Sequence, residues 1–286
     1  MAEPAATHRP PASSSAAVDN EAPPTLEGHY VLHDTYRVRW SAWRALSDDR
    51  RSAIVTQATG WLERTPAGLS GLFSQIGQQG ELLLLHYRST PEDLNRAERA
   101  WRQLDLAAFL EPAWSYVSVI EAGLYEATTI AQHAVAGQGL TPGTPQYQTA
   151  LDAEVEKQRG LLETRVRRDI PAGRYLCFYP MNKRRGEQVN WYALPVEQRR
   201  NLMRGHGRIG RKFHGLVTQV VGGSIGLDTW EWGISLHSDD VLAIKRLVTE
   251  MRFDPTSSLY AEFGSFHLAI RQRPGDLATL LRGEVG

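Results

Sequence analysis

A short motif that occurs twice limits the folds open to this chain. Residues 43–51 and 191–199 both begin Trp-x-Ala-Leu and then carry an acidic residue and an arginine at matching offsets. In both cases the motif lies at the entry to a predicted helix, so the two occurrences share a structural context. We therefore interpret the chain as an internal duplication, in which two similar units are joined in one polypeptide.

The first unit follows the order β-α-β-β-α-β. Alternation of apolar and polar residues predicts its strands, and apolar residues at helical spacing behind an N-cap residue predict its helices. In chain order the predicted elements are strand 29–40, a helix after Ser47, strands 69–76 and 81–88 joined by a GQQG turn, a helix from Thr90-Pro91, and strand 114–122. This order is the ferredoxin-like arrangement.

The second unit repeats the order. Its predicted elements are strand 175–181, helix 195–205, strands 216–222 and 229–237, helix 239–251 and strand 260–269. The predicted organisation is a disordered tail (1–27), a first repeat (28–124), a connection (125–174), a second repeat (175–271) and a C-terminal surface appendage (272–286). Within the connection, residues 150–167 are predicted to form a charged helix. The expected fold class is α+β, with two fused ferredoxin-like repeats that form a dimeric α+β barrel.

The composition argues against several classes of partner. Lys plus Arg and Asp plus Glu both number 32, and the net charge of +0 predicts neither nucleic acid nor an anionic membrane surface as a partner. No run of about 18 apolar residues occurs, and the Ala/Pro/Ser-rich N-terminus lacks a signal-peptide pattern, so we expect a cytoplasmic protein. Cys177 is the single cysteine, which excludes an internal disulfide and a Cys-rich metal site. We expect it to be buried as a small apolar residue.

His206 is the first candidate for metal chemistry. It shares the apolar stripe of its predicted helix with Leu202 and Met203. A histidine at such a position is either a core residue with satisfied hydrogen bonds or an axial ligand of haem iron, with its other ring nitrogen on an acceptor. Gly205 and Gly207 would let a flat macrocycle approach the backbone. Because no CxxCH motif occurs, any haem would be held non-covalently.

Two further residues could line the same pocket. Tyr179 ends a predicted strand, and the basic residues that follow it could pair with carboxylates; the alternatives are a tyrosine that only packs and a solvated basic turn. Gln219 interrupts the apolar run LVTQVV. If its amide faces inward it needs partners that a ligand could supply, and if it faces outward it carries no function. GxSxG, HExxH and Walker A motifs are absent, and GGSIG is interpreted as a hairpin turn.

A family resemblance is carried by YPMNKRR, NWYALP, RRNLMRGHGRIGR, GSIGLDTWEWG and MRFD followed by YAEFGSF. These segments resemble the chlorite dismutase family, and within it the coproheme decarboxylase branch. The resemblance covers residues 28–271. It implies a dimeric α+β barrel, in agreement with the duplication, and assembly as a homopentamer.

The resemblance also implies a role for each matching position. His206 would be the proximal iron ligand, Tyr179 the redox-active tyrosine and Gln219 the distal residue. Lys183 would lie by the reacting propionate of the porphyrin. The other implied pocket residues are Trp191 and Met181 near the macrocycle, with Arg165 and Ser257 as propionate contacts.

The implied reaction is oxidative decarboxylation of iron-coproporphyrin III (coproheme) by hydrogen peroxide, with the substrate also serving as cofactor. A radical at Tyr179 would abstract a hydrogen from the β-carbon of a propionate. Two propionates become vinyl groups through a three-propionate intermediate, which gives haem b in coproporphyrin-dependent haem biosynthesis, with a coproporphyrin ferrochelatase as a transient partner. One alternative is chlorite dismutation, in which an arginine takes the position of Gln219. The other is a haem carrier or sensor without catalysis.

Overall fold

A computed structural model describes residues 25–77, 80–123, 130–131, 134–141 and 143–282. Most of the predicted N-terminal tail, the two glutamines of the GQQG turn and part of the predicted connection lie outside these residues. Residues 25–27, which were expected to belong to the tail, instead form the start of the first strand.

The first repeat has the predicted order of elements. They are β1 (Thr25–Val38), α1 (Trp40–Arg44), α2 (Asp48–Arg64), β2 (Ser70–Ile76), β3 (Leu82–Arg88), α3 (Pro91–Arg102), a 3-10 turn (Asp105–Phe109) and β4 (Leu110–Gly123). Ser47 and Thr90 cap α2 and α3, because their hydroxyl oxygens accept hydrogen bonds from the backbone N–H groups of Arg50 and Asp93. The helix starts predicted at these two residues are confirmed.

The connection contributes one long helix, and the second repeat follows it. The elements are α4 (Pro145–Val166), β5 (Tyr175–Lys183), α5 (Val196–Arg211), β6 (Thr218–Gly223), β7 (Trp232–Ser238), α6 (Val241–Arg252), α7 (Pro255–Ser258), β8 (Ala261–Phe263), β9 (His267–Gln272), a 3-10 turn (Pro274–Asp276) and α8 (Leu277–Arg282). Helix α5 continues beyond the predicted end at residue 205, so His206 lies inside the helix.

The strands close into a barrel. Their order is β7-β6-β4-β1-β3-β2-β9-β5-β8, and β5 also pairs with β7, so the sheet closes on itself with β8 as an outer partner of β5. Each repeat contributes four strands in the same order, β4-β1-β3-β2 and β9-β5-β7-β6, which is the ferredoxin-like arrangement. The repeats meet where β2 pairs with β9 and where β4 pairs with β6. The predicted fold class is confirmed.

The predicted last strand, 260–269, is interrupted, and the prediction of one continuous strand is wrong. Both β8 and β9 pair with β5, but they are separated at Gly264, whose N–H donates to the carbonyl oxygen of Pro180 at 2.9 Å. A Cβ at Gly264 would lie 2.7 Å from Cγ of Pro180 and 3.0 Å from the Trp230 ring. The glycine is therefore required by close packing, which the local sequence pattern does not reveal.

The C-terminal residues belong to the core of the first repeat. Leu277 and Leu281 are 0% and 3% exposed and pack in a cluster with Trp43, Ile54 and other residues beneath α2 and α3. The indole N–H of Trp43 donates to the carbonyl oxygen of Leu281 at 2.9 Å. The interpretation of this segment as a surface appendage is wrong, because its leucines cover apolar surface that the first repeat leaves open.

In the part of the chain that the structure describes, no helix is both long and apolar enough to cross a membrane.

Candidate functional site

The candidate site lies on the outer face of the second repeat, the side of the sheet covered by α5 and α6. Along β5 the side chains alternate: Leu176 points into the barrel, whereas Cys177, Tyr179 and Met181 pack against residues of the helices and of β7. Leu247 of α6 belongs to that outer cluster. Cys177 is 7% exposed, which confirms its predicted burial, and burial raises the pKa of its thiol to about 12. Tyr179 therefore faces the helix layer that carries His206.

His206 is held by a buried carboxylate. Its Nδ1 lies 2.8 Å from Oδ2 of Asp254, whose side chain is only 4% exposed. Burial lowers the pKa of His206, and the hydrogen bond and charge of Asp254 act in the opposite direction. A histidine fixed in this way through Nδ1 presents Nε2 as its metal-binding atom, which is the usual arrangement of a carboxylate-supported axial ligand.

Lys183 lies beside the same carboxylate. Its ammonium group donates to the carbonyl oxygen of Thr256 at 3.2 Å and sits 4.4 Å from the centre of the Trp191 ring. Burial lowers the pKa of Lys183 to about 8, although the charges of Asp254 and Glu231 raise it. The structure thus groups Lys183 with His206 and Asp254. That Lys183 also lies by a propionate of the porphyrin stays a prediction.

Tyr179 lies in an aromatic environment. Its ring stacks on Phe266 with the centres 4.4 Å apart and contacts Phe263 at 5.8 Å. The guanidinium of Arg252 covers Phe263 at 3.7 Å. Burial raises the pKa of Tyr179 well above its ordinary value, and the charge of Arg252 opposes this. The phenol is therefore protonated at neutral pH and can lose a proton only together with an electron or to a strong base.

Gln219 and Arg165 line a common cavity, so both are brought to one place. The cavity is about 20 Å³ and is also lined by Glu121, Val166 and Arg168. That volume holds about one water molecule and excludes a macrocycle. Gln219 shares its face of β6 with Val221, which packs in the outer cluster with Tyr179. The amide thus belongs to the same face as the tyrosine.

The remaining predicted residues surround Lys183 and Tyr179. Trp191 is 7% exposed and packs edge-on against Tyr260, with the ring centres 5.5 Å apart. Met181 packs in the outer cluster at the end of β5. Ser257 is 6% exposed in α7, where its N–H donates to the carbonyl oxygen of Asp254 at 3.0 Å. Ser257 is thereby placed on the His206 side of the site.

Sequence reasoning missed Asp254 and Glu121. Asp254 follows α6 at the N-cap position of α7, but its carboxylate binds His206 and does not cap that helix. The available signal was an Asp-Pro pair after an amphipathic helix. Glu121 lies in the strand pattern WSYVSVIEA, where it looks like an ordinary solvent-facing residue. Its indole partner Trp232 is 111 residues away, so only the fold brings the two together.

Two ferredoxin-like repeats close into one barrel, which defines a dimeric α+β barrel protein. Its candidate metal ligand is a histidine on a covering helix, hydrogen-bonded to a carboxylate. The sequence profile of the chlorite dismutase family matches residues 51–272. The chain belongs to the chlorite dismutase family.

Two curated relatives come from haloarchaea. A protein of Halobacterium salinarum called a putative heme-binding protein is 40% identical over 92% of this chain and 51% of its own length. A protein of Haloquadratum walsbyi with the same description is 39% identical over 93% of this chain and 48% of its own length. The chain therefore spans about half the length of the curated relatives that it matches.

Solved structures agree on the fold. A protein of Thermus thermophilus, described as a novel heme-binding protein, is 34% identical with a TM-score of 0.75 and covers 92% of this chain and 98% of its own. A variant of the chlorite dismutase of Candidatus Nitrospira defluvii is 17% identical with a TM-score of 0.66, over 89% of this chain and 95% of its own. The second likeness supports the fold alone.

Proposed function

We propose that this protein binds an iron porphyrin through His206 and decarboxylates coproheme with hydrogen peroxide to give haem b. The observation that carries the proposal is the 2.8 Å contact between Nδ1 of His206 and the buried carboxylate of Asp254. His206 lies on α5, the helix that covers the face of the sheet to which Tyr179 belongs. The heme-binding descriptions of the archaeal and Thermus relatives support the first part. The presence of Tyr179, Lys183 and Gln219 at the positions expected for a decarboxylase supports the second.

The residues fit an iron porphyrin. His206 is fixed through Nδ1, which leaves Nε2 for iron, and Gly205 and Gly207 keep side-chain bulk away from the helix surface beside it. Helix α5 and the outer face of β5 to β7 would contact the two faces of the macrocycle. Arg165, at the cavity beside Gln219, would bind a propionate at its edge.

Tyr179 is the residue that would act on the propionate. Iron porphyrin together with peroxide would supply two oxidising equivalents for each propionate. Tyr179 would use one of them: it would give up an electron and its phenolic proton and then remove a hydrogen atom from the β-carbon of the propionate. The second equivalent would accept the remaining electron as the bond to the carboxylate breaks and CO₂ leaves. For each propionic acid group, one hydrogen peroxide is reduced to two waters while the group becomes a vinyl group and CO₂. The packing against Phe266 would hold the phenol in place and exclude water.

Lys183 and Asp254 have electrostatic roles in this scheme. The carboxylate of Asp254 would increase the electron density that His206 donates to a bound iron, and the positive charge of Lys183 would reduce that increase. Gln219 carries no charge, so it would not stabilise a transient hypochlorite anion as an arginine does. The decarboxylase is therefore preferred over a chlorite dismutase. A homopentamer, a cytoplasmic location and transfer of substrate from a ferrochelatase stay predictions.

The test is to titrate the protein with iron-coproporphyrin III, add hydrogen peroxide in steps and follow the porphyrin by mass spectrometry. Loss of two carboxyl groups in the wild type and its absence in Tyr179→Phe are expected. Tyr175→Phe is the matched control, because Tyr175 lies on the same face of β5 and packs in the same cluster. Tight binding without mass loss would reject the decarboxylase and leave a haem carrier. Mass loss in Tyr179→Phe would reject the role of the tyrosine.

A further inference from the structure

The seam between β4 and β6 opens next to Gln219. These strands are joined by only two residue pairs, Val119 with Gly223 and Ile120 with Gly222. Beyond them the strands separate, and the cavity of about 20 Å³ fills the gap. The end of α4 closes the cavity from the other side through Arg165. A site of this size admits a molecule as small as water or hydrogen peroxide.

Glu121 is the acidic residue of this cavity. Its Oε1 accepts a hydrogen bond from the indole N–H of Trp232 at 2.8 Å. Its Oε2 lies over Gly223, where a Cβ would collide with the carboxylate. Only a glycine at residue 223 therefore lets the carboxylate cross β6 to reach Trp232 on β7. The indole N–H occupies one carboxylate oxygen, and Glu121 is also one of the residues that line the cavity.

Burial and the neighbouring charge of Glu27 favour the protonated form of Glu121. Burial raises the pKa of the carboxyl; the hydrogen bond from Trp232 opposes this, and the charge of Glu27, opposite on β1, adds to it. Arg165 and Arg168 face the cavity from the end of α4 and from the residues after it. The charge of Glu121 also contributes to raising the pKa of Tyr116. A carboxylate whose pKa moves toward neutrality is a better base than an exposed one.

We propose that Glu121 accepts the proton of hydrogen peroxide as the molecule passes through the β4–β6 cavity beside Gln219. This role rests on the proposed function, since it assigns the base for its co-substrate. The O–H bond of peroxide breaks, the proton binds to the carboxylate of Glu121, and the electron pair stays on the hydroperoxide anion, which would be a better ligand for a bound ferric iron than the neutral molecule. Gln219 donates its amide N–H to the anion and fixes its position.

Cyanide binding tests the base separately from decarboxylation. Hydrogen cyanide must also lose a proton before it binds ferric haem, so its association rate reports a distal base without any turnover. The protein is loaded with ferric haem b, and cyanide association and dissociation are followed by stopped flow across pH. Glu121→Gln keeps an acceptor for Trp232 but removes the base. Glu111→Gln is the matched control, because Glu111 is an exposed residue of the same strand.

The expected result is a cyanide association rate about 10²-fold lower in Glu121→Gln, with a flattened pH profile and an unchanged dissociation rate. Glu111→Gln should match the wild type, and Glu121→Asp should recover part of the rate. An association rate in Glu121→Gln equal to that of the wild type would overturn the proposal, as would an equal loss in Glu111→Gln. Failure of the wild type to decarboxylate coproheme, with cyanide kinetics that still depend on Glu121, would remove the proposed function alone.

Discussion

The contact between His206 and Asp254 predicts a measurable effect on haem affinity. Asp254→Asn keeps the size of the side chain and an oxygen that can accept from Nδ1, but removes the negative charge. The carboxylate is 4% exposed, so water cannot replace the lost interaction. Removal of a residue that supports a metal-binding histidine costs about 10–100-fold in metal affinity. With about 1.4 kcal/mol for each factor of ten, the expected loss in haem binding is about 1.4–2.8 kcal/mol.

The assay is a titration of the protein with ferric haem b, followed by the Soret absorption, for wild type and variant. The iron–histidine stretching frequency of the ferrous form should also fall, because a weaker acceptor on Nδ1 makes His206 a weaker donor. Asp240→Asn is the matched control: Asp240 caps α6 by accepting from the N–H of Leu242 at 2.8 Å and does not contact His206. Because asparagine is as good an N-cap as aspartate, this variant should change neither stability by as much as about 1 kcal/mol nor haem affinity.

Equal haem affinities in Asp254→Asn and wild type, with both proteins folded, would refute the reasoning. So would an equal loss of affinity in Asp240→Asn, since that loss would come from the general stability of the helix layer. A lower affinity with an unchanged iron–histidine frequency would show that Asp254 acts on folding of the site and not on the ligand.

Three further predictions concern stability. Leu281→Ala should lower the free energy of unfolding by about 2–5 kcal/mol in urea denaturation, because Leu281 is 3% exposed in the core of the first repeat. A change under about 0.5 kcal/mol would contradict its place in that core. Gly28→Ala should lower the melting temperature and expose α4 to proteolysis, since the added Cβ collides with the backbone carbonyl of Val166; an unchanged melting temperature would show that β1 can shift freely. Because the pKa of Lys183 is lowered to about 8 from an unfolded value of 10.5, the unfolded chain binds more protons between these values and stability should rise across that pH window. Lys183→Met should remove this rise, and a persistent slope would assign it to other groups.

The fold could be predicted from sequence because its information is local and repeated. Alternation along β1 and β5, and the N-caps at Ser47 and Thr90, each determine an element without distant contacts. The duplication then supplies the topology, since two β-α-β-β-α-β units have few ways to share one core. Failures occur where an element depends on residues far along the chain, as at Gly264 and in α8.

The candidate site likewise contains residues that the local sequence reveals and residues that it does not. His206, Tyr179 and Gln219 stand out locally, as a histidine on an apolar helix face, a strand-end tyrosine and a polar residue in an apolar strand. The groups that determine what these residues can do are not local. Asp254 reaches His206 from a turn 48 residues later.

Glu121 shows why a strand pattern cannot reveal this kind of residue. Alternation places it on the outer face of β4, and the pattern assigns such residues to solvent. Three conditions instead make Glu121 a partly buried residue with a hydrogen-bond partner. The β4–β6 ladder ends beside it, residue 223 has no side chain, and the indole of Trp232 lies on the far side of that glycine. Each condition is ordinary by itself, and only the closure of the barrel combines them. An acidic residue just beyond the end of a two-pair ladder, with a glycine as its diagonal neighbour on the next strand, is therefore the feature by which a base of this kind could be sought in other barrels of this architecture.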